Sequence, residues 1–195
     1  MKRFVRKQGV VTTAMSAGEV DLLDSLVSQL VDLLNETDPQ AGEESPTDGG
    51  DADDPFALWA RDLQSEPDDP EVSEDPVVQR LFPNAYPHDS HASSDFRRFT
   101  EREMRSAKIQ AANTVRAGLA ATRSGSEPVR VADADVDDWL KTLTSVRLSL
   151  AARLGIDDAE SAEQLSNLAD DDPRAFVVSV YDWLGFAQET MIEAL

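Results

Sequence analysis

Apolar residues recur at intervals of three and four over Leu23, Leu26, Val27, Leu30, Val31 and Leu34, while Asp21, Asp24, Ser25, Ser28 and Asp32 fall on the other faces. That period predicts a helix with one continuous apolar stripe that other helices must cover. Ser16-x-x-Glu19 opens it as a capping box, hydroxyl and carboxylate each satisfying an orphan amide, and it is expected to run to about Asn35. Ahead of it, two β-prone runs (Phe4-Val5 and Val10 to Met15) flank Lys7-Gln8-Gly9, where glycine supplies the positive φ of a tight hairpin.

Downstream, the pattern is punctuated by acid-proline pairs. Asp54-Pro55 predicts a short turn through Phe56, Leu58, Trp59 and Leu63, and Asp75-Pro76 a two-turn helix through Val77, Val78, Leu81 and Phe82 that Pro83 ends. After a loop over Asn84 to Ser93, Thr100-x-x-Glu103 reads as a second capping box, so a brief helix through Phe96 and Phe99 is expected to bend into a longer one reaching about Ala121. Met104, Ala107, Ala111, Val115, Gly118 and Leu119 give it a narrow face suited to close helix contact, in a core or equally in a homodimer. Pro128 to Val131 is β-prone and able to add a third strand to the hairpin. Asp135 is placed to cap a helix carrying Val136, Trp139, Leu140, Leu143, Val146, Leu150 and Leu154, which Gly155 closes in the left-handed conformation. A single helical turn is expected near Ala162 to Leu168. Asp172-Pro173 then starts a last helix burying Phe176, Val177, Val180, Tyr181, Leu184, Met191 and Leu195. The sum is a mainly α fold: a helical bundle of about four main helices, packed antiparallel, with a small N-terminal β-hairpin and a third short strand.

Charge changes this picture in one place. The chain holds 38 acidic and 18 basic residues, but fifteen of the carboxylates and only one cation, Arg61, lie between Glu36 and Asp75, leaving 23 against 17 elsewhere. A segment so charged and so poor in large apolar residues buries too little surface to offset its ordering entropy, so residues 1–195 are read as a single domain with an acidic, partly disordered insertion at about 36–75. The absence of cysteine excludes disulfides, thiolate metal sites and thiol switches. Lys2, Arg3, Arg6 and Lys7 are followed by a short, Thr-rich stretch in place of an apolar signal region, and no run is long enough to span a bilayer, so a cytoplasmic location is expected. Arginine outnumbers lysine fourteen to four and alanine is abundant, as in proteins from GC-rich bacterial genomes.

No constellation announces a reaction. His88-x-x-His91, near Asp89 and Asp95, sits in a polar loop without the helical frame of a zinc site and reads as a solvated pair. There is no G-x-S-x-G elbow, and Gly49-Gly50 lies among aspartates that repel a phosphate. Asp137-Asp138 and Asp170 to Asp172 stand at helix starts, where capping and dipole compensation account for them. Trp59, Trp139 and Trp183 read as core. The cations Arg97, Arg98, Arg102, Arg105, Lys108 and Arg116 are the main charged feature outside the acidic segment, and helical spacing puts Arg98, Arg102 and Arg105 on one face. Such a face meets an acidic partner or a polyanion, unless Glu101, Glu103 or the acidic segment neutralises it within the chain.

The hairpin with Leu22 to Leu34, the acidic insertion, Asp75-Pro76 through Leu81-Phe82-Pro83-Asn84-Ala85-Tyr86, Phe96-Arg97-Arg98-Phe99-Thr100-Glu101 with Arg105 and Lys108, and Tyr181-Asp182-Trp183-Leu184 through Gln188-Glu189 to Leu195 occur in an order that resembles an actinobacterial family of unknown function, numbered two-zero-one-seven. The resemblance implies a cytoplasmic regulatory or accessory protein, often encoded beside the adaptor of the Clp protease and genes of cysteine biosynthesis, with no known catalytic residue. Some relatives with cysteines look like redox-responsive regulators, a switch that a cysteine-free chain cannot carry. The expectation is therefore a non-enzymatic regulator or adaptor acting through protein contacts, in stress-linked transcription control, with Arg97, Arg98, Arg102, Arg105 and Lys108 as its interaction surface. No catalytic residue, cofactor or metal is expected. The alternatives are a DNA-binding transcriptional regulator using the basic helix over about 97–116, opposed by the acidic segment on the same chain, and an unrecognised hydrolase.

Overall fold

Gln8 and Gly9 both have positive φ, 53° and 78°, the two-residue turn whose twist matches that of the strands it joins. Strand β1 (Val5–Lys7) therefore folds directly onto β2 (Val10–Thr13), with Lys7 opposite Val10. Strand β3 (Val129–Val131) pairs antiparallel on the other side of β2, Val11 facing Val131, so the sheet order is β1-β2-β3. This computed structural model describes residues 1–37, 73–86, 88–169 and 171–195. The turn expected at Phe56 to Leu63 and the body of the acidic insertion lie outside the described residues.

Six helices occur among the described residues: α1 (Ala17–Glu36), α2 (Pro76–Leu81), α3 (Ser90–Ala120), α4 (Val136–Leu154), α5 (Ala159–Ser166) and α6 (Ala175–Glu193). The protein is mainly α, with a small hairpin and a third short strand. The capping box at α1 is formed as the spacing predicts: the Ser16 amide donates to the Glu19 carboxylate at 2.7 Å and the Glu19 amide to Ser16 Oγ at 3.4 Å. Val20, Leu23, Val27, Leu30 and Leu34 are its buried stripe. Asp75 caps α2 by accepting from the Val77 amide at 2.7 Å, with Pro76 in the first turn where no amide is needed. Gly155 closes α4 at φ 72°.

One apolar cluster draws on the sheet (Val11, Val129, Val131), on α1 and α2, and on Val115, Leu143 and Leu184 of α3, α4 and α6. At its centre Trp139 is fully buried, edge-on to Phe4 with ring centroids 6.4 Å apart. The helix crossing of α3 over α4 is tight because Gly118 lies there: a Cβ at that position would stand 2.9 Å from Trp139 Cζ2.

Four local expectations are corrected. Helix α3 starts at Ser90, capped by Asp89, which accepts from the Ala92 amide at 3.0 Å, and it passes Thr100 without a break. Thr100 caps nothing there; its hydroxyl donates back to the Phe96 carbonyl at 2.6 Å, the standard way a mid-helix threonine is accommodated. Helix α5 begins at Ala159, because Asp158 and Ser161 form a capping box of their own. Helix α6 begins at Ala175, since Asp172 closes a turn onto the Arg174 amide at 2.8 Å instead of capping the helix. Phe176 and Leu195, expected in the core, are 66% and 56% exposed: Phe176 lies in the first turn of α6 and Leu195 two residues past its end, beyond the elements that cover its middle.

Candidate functional site

Helix α3 carries every residue of the predicted interaction surface, and the rotation of each about the helix axis decides its part. Arg105 faces inward and is only 2% exposed. Its Nη1 donates to the Leu34 carbonyl at 2.7 Å and to Thr37 Oγ1 at 2.9 Å, while Nη2 donates to Glu101 Oε1 at 2.6 Å. The guanidinium lies over the Phe82 ring, 4.7 Å from its centroid. Helix α1 has no basic residue in its own last turn, so Arg105 supplies the cation that its carbonyl end favours from another helix. Arg105 is therefore withdrawn from the interaction surface: the spacing places it correctly relative to Arg98 and Arg102, but the end of α1 covers it.

Glu101 joins Arg105 to Arg97, whose Nε stands 3.6 Å from Glu101 Oε2. Both members of that pair are largely covered, so the neutralisation within the chain that the sequence allowed accounts for Arg97. Arg116, one turn from the end of α3, pairs with Asp24 of α1 at 3.2 Å. Arg102 is exposed, and the side chain of Arg98 lies outside the described set.

Beside Arg102, on the solvent side of α3, Phe99 is 71% exposed. Phe96 and Tyr86, also exposed, meet edge to face with centroids 5.9 Å apart. The sequence does not single out this aromatic patch: in it Phe96 and Phe99 read only as parts of a brief helix expected to bend into a longer one. His91 falls in the first turn of α3, and His88 in the loop before it. Among the described residues no three His, Asp or Glu side chains gather closely enough to hold a metal ion.

The opposite flank of α3 opens against α4 in a cavity of about 220 Å³, lined by Met104, Ala107, Lys108, Ala111, Lys141, Thr142 and Ser145. Lys108 Nζ is 5.8 Å from the Phe82 ring centroid, so Phe82 supports both cations of this helix face. Burial, and then the charge of Lys141, hold the Lys108 ammonium below the ordinary lysine pKa. Lys141 is raised instead, by its hydrogen bond and charge contact with Asp137, 2.6 Å away one turn earlier in α4. Thr142 is 2% exposed and its hydroxyl has no partner. Among the described residues the lining contains no carboxylate and no imidazole; it offers two cations beside an apolar floor. The sequence holds no signal for the pairing of Lys108 with Lys141, which only the packing of α3 on α4 brings about.

The model of a family described as a domain of unknown function, DUF2017, matches residues 1–195. The chain belongs to DUF2017. No curated protein and no solved structure matches this DUF2017 chain. Among its described residues no helix is long and apolar enough to cross a membrane.

Proposed function

We propose that this DUF2017 protein is a non-enzymatic cytoplasmic regulatory or adaptor protein, and that the outer edge of α3 around Phe99 and Arg102 is where a protein partner docks. The observation that carries the reading is the exposure of Phe99 in the N-terminal third of a long helix, near Phe96, Tyr86 and Arg102. Leaving an aromatic ring in water forgoes burial worth about 2 kcal/mol, and aromatics set beside arginine are the residue types that dominate binding energy at protein interfaces. The acidic segment that follows α1 in the sequence tunes access to this face electrostatically, repelling acidic competitors and steering basic ones. Transcription or proteolysis machinery is the class of partner that the family resemblance implies.

The duplex-binding alternative has fewer cations to work with, since Arg105 is buried, and Arg97 and Arg116 are paired with carboxylates. Affinity capture with cross-linking and mass spectrometry separates the readings, comparing the full chain with Phe99→Asp and with a version lacking residues 38–74. A defined partner that cross-links to α3 and disappears with Phe99→Asp is the expected result. An unchanged partner set in both variants, or none, removes the proposal. Salt-dependent duplex binding that falls in Arg98→Ala and Arg102→Ala chains puts the DNA-binding reading in its place.

A further inference from the structure

The cavity between α3 and α4 lies on the other flank of α3 from Phe99, and its chemistry is divided. Two of the four lysines in the chain, Lys108 and Lys141, share its wall, and Met104, Ala107 and Ala111 form an apolar floor. Among the described residues no carboxylate pairs with Lys108, and Lys141 spends one of its three ammonium protons on Asp137, which leaves donors for a guest. Thr142 lines it and is almost wholly buried, and its hydroxyl, itself covered, has no partner among the described residues. We propose that this cavity is a ligand site for a small organic acid, its carboxylate held between Lys108 and Lys141 and its short aliphatic part lying on Met104, Ala107 and Ala111.

Three arguments select that class. First, like charges brought together on a partly buried wall repel, and the depression of Lys108 by burial and by Lys141 registers this; an anion between them converts repulsion into two charge-assisted hydrogen bonds. Second, the size is that of a small metabolite: about 220 Å³ corresponds to roughly seven water molecules at their share of liquid volume. Third, the apolar floor discriminates between anions. Inorganic phosphate would turn charged oxygens toward methyl groups, which costs desolvation without hydrogen bonds in return, whereas a monocarboxylate presents charge on one side only.

Asp137 and Asp138 stand one turn before Lys141 and Thr142 on α4. Asp137 is tied to Lys141, and Asp138 accepts from Thr114 Oγ1 at 2.7 Å, so neither fills the place between the lysines.

The test uses the full chain with methyl-labelled alanine, threonine and methionine, titrated by NMR with hexanoate, with hexanol as the uncharged counterpart and with inorganic phosphate. Hexanoate is expected to give saturable shifts at the Ala107, Ala111 and Met104 methyls, weakened about tenfold in Lys108→Met by loss of one charge-assisted hydrogen bond. Lys141→Met, at an exposed position, provides a further variant should Lys108→Met fail to fold; it is expected to weaken hexanoate several-fold relative to the intact chain, with the fold unchanged. Hexanol binding as tightly as hexanoate, phosphate binding more tightly, wild-type affinity in the lysine variants, or the absence of saturable shifts would each overturn the proposal. Phe99→Asp leaves this site intact, so its fate and that of the docking face are read separately.

Discussion

Arg105 Nη1 donates to the Leu34 carbonyl at 2.7 Å, tying the middle of α3 to the last turn of α1. That bond, with those to Thr37 and Glu101, turns the most central of the basic residues from a surface charge into a fastener. It also places the fastener where α1 ends and the acidic part of the chain begins. Arg105→Ala strands the buried Leu34 carbonyl and is expected to lower stability by about 2–4 kcal/mol, the range for breaking a buried hydrogen-bond network. Chemical denaturation measures it. Arg105→Lys should recover less than half of the loss, because a single ammonium cannot reach three acceptors in the plane of a guanidinium fork. Full rescue by lysine would show that charge alone matters.

Gly118 and Trp139 set the approach of α3 to α4. A methyl group at position 118 would sit 2.9 Å from Trp139 Cζ2, and the indole is fully buried with no room to yield. Gly118→Ala is expected to cost about 1–3 kcal/mol by overpacking, in spite of the higher helix propensity of alanine. Trp139→Phe removes the clashing ring carbon. A double-mutant cycle should therefore show the two changes costing less together than in sum; strict additivity would place the cost of Gly118→Ala elsewhere.

Gly9 and Gly125 have nearly the same backbone, φ 78° and 79°, but different surroundings. At Gly9 an added Cβ meets nothing within 4 Å, while at Gly125 it meets Ala17 N at 2.8 Å and Met15 O at 2.9 Å, backbone atoms that cannot rotate away. Gly9→Ala carries only the left-handed penalty, about 1–2 kcal/mol. Gly125→Ala adds displacement of the α1 entry and is expected to be clearly the more destabilising of the two in thermal melts. Equal losses would mean that the 121–126 loop moves aside at no cost.

The Asp172 carboxyl is held at about 2, first by the side-chain hydrogen bond from Arg174 and then by the Arg174 amide. The group is depressed in the folded state, so its contribution to stability is present above the ordinary value of 3.8 and is lost as pH falls through about 2. NMR titration of the Asp172 side chain should show this low midpoint. Arg174→Ala should return it most of the way toward 3.8, since the amide bond alone remains. A midpoint unchanged by that substitution would assign the shift to the backbone.

What could be read along the chain was what depends on neighbours in sequence. Ser16 with Glu19, Asp75 with Pro76 and Gly155 form their caps within one turn of chain, and Leu23 to Leu34 form a stripe by period alone. Even here competition intervened: Thr100 satisfies its hydroxyl on the Phe96 carbonyl, which lets α3 run on where a second cap was expected.

That the chain forms helices and a hairpin, and that Arg98, Arg102 and Arg105 share a face, follows from local pattern, because hydrogen bonds within a turn and a period of 3.6 residues need no distant partner. Which way that face turns follows from packing. The N-terminal half of α3 has no strong apolar stripe to orient it, so it is the carbonyl end of α1 that draws Arg105 inside, leaves Phe99 and Arg102 outside, and sets Lys108 across from Lys141. Such choices rest on contacts between segments far apart in the chain, and a pattern confined to one segment carries no information about what will pack against it.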